Sequence, residues 1–135
     1  MDEVREAVQG DEWFAVLTHR PPYDPAAPAV ADRLQRWTSP AVVAAALADH
    51  GDGLLRQLAG QPTDRDWVTD CGGPLGAVLV LAEVDAAASV LRSHVAAARA
   101  GLLADLVQDH SLVELADLLG VTRQALHKTL KNRGL

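Results

Sequence analysis

Between residues 84 and 109 the apolar side chains return at helical intervals. Val84, Ala87, Leu91, Val95, Ala98, Leu102 and Leu106 follow one another at steps of 3, 4, 4, 3, 4 and 4. That spacing lines one face of an α-helix and fits no strand, whose period is two. Asp85, Arg92 and Arg99 repeat every seven residues, which reads as the opposite face. Upstream, Leu75–Leu81 is a short apolar run that periodicity alone assigns to neither a buried strand nor a helix. Pro74 suits a first helical turn and no partner strand is visible, so helix is the reading here. Unbroken from Pro74, such a helix is roughly 50 Å long at about 1.5 Å per residue. A chain of 135 residues has little else with which to cover it, which points to a partner subunit. Gly101 is the weak position, where a bend is expected.

The remaining segments are helical too. Residues 2–18 read as helix, split near Gly10, with Trp13, Phe14 and Leu17 on the buried side. Four prolines between residues 19 and 28 exclude regular helix and central strand, leaving a loop. A helix over about 28–37 places Val30, Leu34 and Trp37 together. Ser39-Pro40 is a helix start, a capping side chain followed by proline in the first turn. The helix it opens runs to about 49 with Val42, Val43 and Leu47, and His50-Gly51-Asp52-Gly53 ends it. A short helix over about 53–59 stops at Gly60, and residues 67–73 carry no clear pattern. The expected fold class is all-α.

Composition bounds the function. Apolar residues at 49% and charged residues at 22% describe a globular chain. A single cysteine, Cys71, excludes an internal disulfide and any multi-cysteine zinc site. No uninterrupted apolar run approaches the roughly 18–20 residues of a membrane span, and the N-terminus has no signal-peptide core, so a cytoplasmic protein with no membrane partner is expected. The net charge of −6 is unevenly spread: residues 1–111 carry −8 and no lysine, residues 112–135 carry +2. All four bases of the C-terminal segment follow Val121, where there is no acid. A basic end on an acidic body suits contact with phosphate through one small element. Helix-dipole preference explains Lys131 and Arg133 as well, but not Arg123.

Residues 111–132 read SLVELADLLGVTRQALHKTLKN. Ser111 and Glu114 have the spacing of a capping box. Leu112, Leu115, Ala116 and Leu119 form an inward face, and Gly120 allows the sharp turn that ends the helix. Val121 plugs the turn, Thr122 caps a second helix, and Ala125, Leu126, Thr129 and Leu130 face inward. Two helices joined this tightly cross steeply, and Ala116 is small where they meet.

This segment resembles the helix-turn-helix DNA-binding module of bacterial and phage regulators. Ala116, Gly120, Val121 and Leu126 occupy the fifth, ninth, tenth and fifteenth places of that module's pattern, counted from Leu112. The likeness covers about a sixth of the chain, or nearly 40 residues with a preceding helix over about 97–109. It implies a wingless tri-helical unit over 95–135 whose second helix, about 122–132, enters the major groove of double-stranded DNA. The DNA-facing residues it implies are Thr122, Arg123, Gln124, His127, Lys128, Lys131 and Arg133. Arg123, Gln124 and His127 are assigned to base edges, since arginine reads guanine and glutamine reads adenine. Lys128, Lys131 and Arg133 serve equally well as phosphate contacts, and Thr122 as cap and phosphate contact together. One such module buries little DNA surface, so a homodimer is expected. Residues 1–80 would then serve dimerisation or partner binding, and 81–94 would connect the two parts.

Other residues carry less. The five histidines show no metal-ligand spacing, and His50 beside Asp49 and Asp52 reads as a solvated helix end. Cys71 reads as a buried structural thiol, and Trp13, Trp37 and Trp67 as core anchors more than as a ligand cage. No acid, base and nucleophile converge, so neither an enzyme nor a cofactor is expected. The sequence thus points to a small bacterial transcriptional regulator, nucleoid-associated and homodimeric. The alternative is an interaction protein, such as an adaptor or antitoxin-like factor, whose main surface is the N-terminal helical region.

Overall fold

The computed structural model describes residues 12–21 and 23–132. Every regular element among them is helical: α1 (residues 12–16), α2 (Ala27–Gln35), α3 (Pro40–Ala48), α4 (Asp52–Leu58), α5 (Trp67–Asp70), α6 (Pro74–Leu106), α7 (Leu112–Leu119) and α8 (Arg123–Asn132). The expected break at Gly10 and the expected phosphate contact Arg133 lie outside the described residues. The protein forms two compact units, Met1–Val90 and Leu91–Leu135, with the boundary inside α6. The chain is all-α.

Local chemistry accounts for the first unit's elements. The Ser39 hydroxyl accepts from the Val42 amide at 3.4 Å and Pro40 occupies the first turn of α3. The Asp49 carboxylate accepts from the amides of Gly51 (2.9 Å) and Gly53 (3.0 Å), which seats the start of α4. The Asp66 carboxylate caps the single turn of α5. Trp13, Leu17, Leu34, Val43, Leu54, Trp67, Cys71 and Val80 are buried together as one core. Burial pushes the Cys71 thiol up, away from reactivity. Gly72 sits at φ +89°, and a Cβ there would lie 2.0 Å from the Trp37 carbonyl oxygen, so only glycine lets the two backbones approach.

Two side chains expected in this core lie outside it. Phe14 is exposed, and Trp37 is 42% exposed. The helix expected to reach residue 37 ends at Gln35, and the Trp37 and Thr38 amides both turn back to the Leu34 carbonyl. That tightening takes Trp37 off the face that carries Val30 and Leu34.

The long helix forms as its periodicity predicts, from Pro74 through Gly101 without a break, for 33 residues. Gly101 is tolerated because one glycine costs a helix only about 1 kcal/mol. Within the first unit, α6 contributes Ala77 and Val80 to the core, and also the buried Glu83. Glu83 accepts from Arg20 Nε at 2.9 Å and Nη2 at 2.8 Å, and lies 3.1 Å from His19 Nε2. Arg20 also reaches Asp24 at 3.1 Å. The pair fastens the proline-rich loop to α6. By length and composition α6 is apolar enough to cross a membrane, with a mean hydropathy of 1.7 over its best stretch, of which 22% is buried. The uninterrupted-run criterion missed this because Glu83 and Asp85 divide the run. Glu83, buried against Arg20 in a protein core, accounts for one of those charges.

Candidate nucleic-acid interface

In the second unit, the C-terminal part of α6 supports α7 and α8. Leu103, Leu115, Ala116, Leu126 and Leu130 are buried as one cluster, with Ala104, Val107, Leu112 and Val121 packed against it. The first helix of the tri-helical unit is therefore the end of α6, not a separate element.

The turn is built by local hydrogen bonds. The Ser111 hydroxyl accepts from the Glu114 amide at 3.1 Å, starting α7. The expected capping box is made only in this direction: the Glu114 carboxylate lies 3.4 Å from His110 Nδ1 instead. Gly120 ends α7 at φ +68°, in the left-handed region, and the Val121 amide returns to the Ala116 carbonyl at 3.0 Å. The Thr122 hydroxyl accepts from the Ala125 amide at 3.0 Å and starts α8. Leu126 and Leu130, four apart, hold α8 to the cluster.

Two inward assignments change. Leu119 is exposed, because α7 ends there and the chain turns away before α8 begins. Ala125 is exposed too, since the contact face of α8 narrows to Leu126 and Leu130, with Thr129 half-buried and its hydroxyl donating to the Ala125 carbonyl at 3.0 Å.

Thr122, Arg123, Gln124, His127, Lys128 and Lys131 are all exposed. Among the described residues none of the three cations makes an ion pair. α8 contains no acid, so nothing on it neutralises them. The whole unit from residue 91 carries +2, against −8 for residues 1–90. The arrangement is an amphipathic helix with a packed back and a cationic, hydrogen-bonding front, held by a fixed turn.

No group of three or more potential metal ligands occurs among the described residues. Asp49 is spent on amides, Asp52 pairs with Arg56 at 2.9 Å, and His50 faces solvent at φ +56°. Trp67 lines an open cleft with Asp49, Asp52, Arg56 and Arg65, the last stacked 4.5 Å above its ring. The one sign of the Arg20–Glu83 pair in the sequence is a lone glutamate inside the apolar stretch 75–84.

No family model, curated protein or solved structure matches the chain.

Proposed function

We propose that this protein binds double-stranded DNA sequence-specifically as a homodimer, with α8 in the major groove, and acts as a small transcriptional regulator. One observation carries the reading. The exposed surface of α8 collects Arg123, Gln124, His127, Lys128 and Lys131, unopposed by any acid on that helix, while Leu126 and Leu130 anchor its back. A fixed turn and a packed back hold the helix that carries these side chains, which suits base readout. Arg123, Gln124 and His127 lie in the first half of α8, the part that meets base edges in helix-turn-helix docking. Lys128 and Lys131 suit phosphates, which fix register without reading sequence. The negative potential of residues 1–90 disfavours DNA contact elsewhere.

The test is selection from random duplexes with the full chain, followed by salt titration. A palindromic site with half-sites about one DNA turn (roughly 34 Å) apart is expected. Gln124→Ala should change the selected sequence. Lys131→Ala should weaken all sites alike and lower the salt slope by about 0.9. No binding at low salt refutes the reading.

A second reading, an interaction protein, draws on the first unit. Phe14, Tyr23, Trp37, Leu55, Leu58, Leu75 and Val78 are all exposed there. Failure of the DNA selection combined with a stoichiometric complex on these residues would favour it.

A further inference from the structure

The cleft beside Trp67 lies wholly within the first unit and measures about 540 Å³, within the roughly 300–1,000 Å³ of small-molecule sites. Its frame is tied down. The Gln57 side chain of α4 accepts from the Trp67 amide and donates to the Asp66 carboxylate at 2.8 Å. The Thr63 hydroxyl donates to the Arg65 carbonyl at 2.7 Å, within the loop that joins α4 to α5. Ala45, Ala48, Pro62 and Trp67 supply apolar wall. Two guanidiniums join them. Arg56 Nε lies 2.9 Å from the Asp52 carboxylate, and Arg65 Nε donates to Asp70 at 2.9 Å while the group rests over the Trp67 ring. Each is therefore held by one edge, and the terminal nitrogens have no hydrogen-bond partner among the described residues. Two of the cleft's carboxylates are engaged: Asp49 by the amides of Gly51 and Gly53, and Asp52 by Arg56. Asp64 is exposed and has no partner among the described residues. The Trp67 indole N–H is buried without an acceptor, against Gly53, where a Cβ would overlap it.

We propose that this cleft binds an apolar α-amino acid. The free edges of Arg56 and Arg65 take its carboxylate, since a guanidinium offers paired N–H groups that match the two oxygens. Asp64 takes its ammonium. Its side chain lies on the apolar wall of Ala45, Ala48, Pro62 and Trp67. Charge selects a zwitterion over an ion of either sign. Residues 1–90 carry −8 and Asp64 is unpaired, so a plain anion is repelled. A plain cation meets two guanidiniums. An amino acid carries no net charge and satisfies both signs at once. Its carboxylate also offers an acceptor to the Trp67 indole, a buried donor of the kind that native structures rarely leave unpaired. The inference goes beyond the DNA reading and stands without it, because every residue it uses lies in the first unit.

The test is titration of the full chain, followed by proton–nitrogen NMR correlation spectra. The probes are L-phenylalanine and L-leucine, with phenylpropionate and phenylethylamine, which each lack one charged group. The amino acids should shift the Trp67 indole N–H signal, assigned by its loss in Trp67→Phe, and the shift should saturate below about 10 mM. The Trp13 and Trp37 indole signals should stay in place, as neither residue lines the cleft. Phenylpropionate and phenylethylamine should each bind at least about 10-fold more weakly, since each forfeits one charged hydrogen bond. Arg56→Gln and Asp64→Asn should each weaken amino-acid binding by about 10-fold. Both positions are exposed, so far-UV circular dichroism should not change. No saturable shift with either amino acid overturns the proposal. Phenylpropionate or phenylethylamine bound as tightly as the amino acids overturns it too, by showing a site for a plain anion or a plain cation. So does binding indifferent to both Arg56→Gln and Asp64→Asn. The DNA selection is read separately and decides none of these outcomes.

Discussion

Glu83 joins residues 63 and 64 positions apart, and removing it has a calculable cost. Its side chain is 5% accessible and receives two hydrogen bonds from Arg20, at 2.9 and 2.8 Å, with His19 at 3.1 Å. Deleting one partner of a buried ion pair costs about 3–5 kcal/mol, because the other charge stays buried without compensation. Arg20 is less exposed to that penalty: its side chain is 20% accessible and keeps Asp24 at 3.1 Å. Glu83→Ala should therefore cost about 2–3 kcal/mol. At roughly 4–8 °C per kcal/mol for a unit of this size, Tm should fall by roughly 10–20 °C. Glu83→Gln keeps volume and one acceptor and should cost about 1–2 kcal/mol.

Denaturant unfolding followed by tryptophan fluorescence measures this well, since Trp13, Trp37 and Trp67 all lie in the first unit. The charge of the pair also predicts a pH dependence. Burial pushes the Glu83 carboxyl up, but the hydrogen bonds and charge of Arg20, helped by His19, outweigh burial and hold it below the ordinary glutamate range. A carboxylate lowered on folding contributes stability above its unfolded-state pKa of about 4.3, and loses that contribution as pH falls through the folded value. The gap between wild type and Glu83→Gln should be full near pH 6 and close in acid. A Glu83→Ala cost within about 0.5 kcal/mol of zero refutes the reasoning. So does strict additivity with Arg20→Ala, because contacting partners couple by about 0.5–3 kcal/mol.

Two further outcomes follow from packing. Leu126→Ala removes a buried anchor of α8 and should cost about 2–4 kcal/mol, read by circular dichroism because the second unit has no tryptophan; a loss under about 1 kcal/mol would show that the cluster does not hold α8. Gly72→Ala should cost about 2–5 kcal/mol, combining left-handed strain with the clash on the Trp37 carbonyl, whereas Gly73→Ala, at φ +99° with nothing within 4 Å, should show the strain alone; equal costs would refute the close approach.

Elements that depend on neighbouring residues were legible from the chain alone. Ser39-Pro40, Ser111, Gly120 and Thr122 act within four residues of themselves, so their caps and turn could be read before any packing was known. The 3-4 rhythm of α6 and the solvent-facing cations of α8 are equally local. Assignments failed at the ends of elements, where the exact residue at which a helix stops decided which side chains were covered. Trp37 left the core because α2 closed early, and Leu119 and Ala125 were left bare by where α7 and α8 cross. The capping box was made in one direction only, with the Glu114 carboxylate 3.4 Å from His110 Nδ1.

The sequence by itself determined an all-α chain, its long helix, and a helix–glycine turn–helix with a basic front, because caps, glycine conformations and helical periodicity are properties of short windows. Only the tertiary structure decided which apolar faces are covered. It buried Ala100 and Leu103 of α6 while leaving Leu91, Val95 and Leu102 in water, and it joined Glu83 to Arg20 across 63 residues. Periodicity states that a helix has an apolar face, but burial depends on which other segments reach that face, and a short window holds none of them.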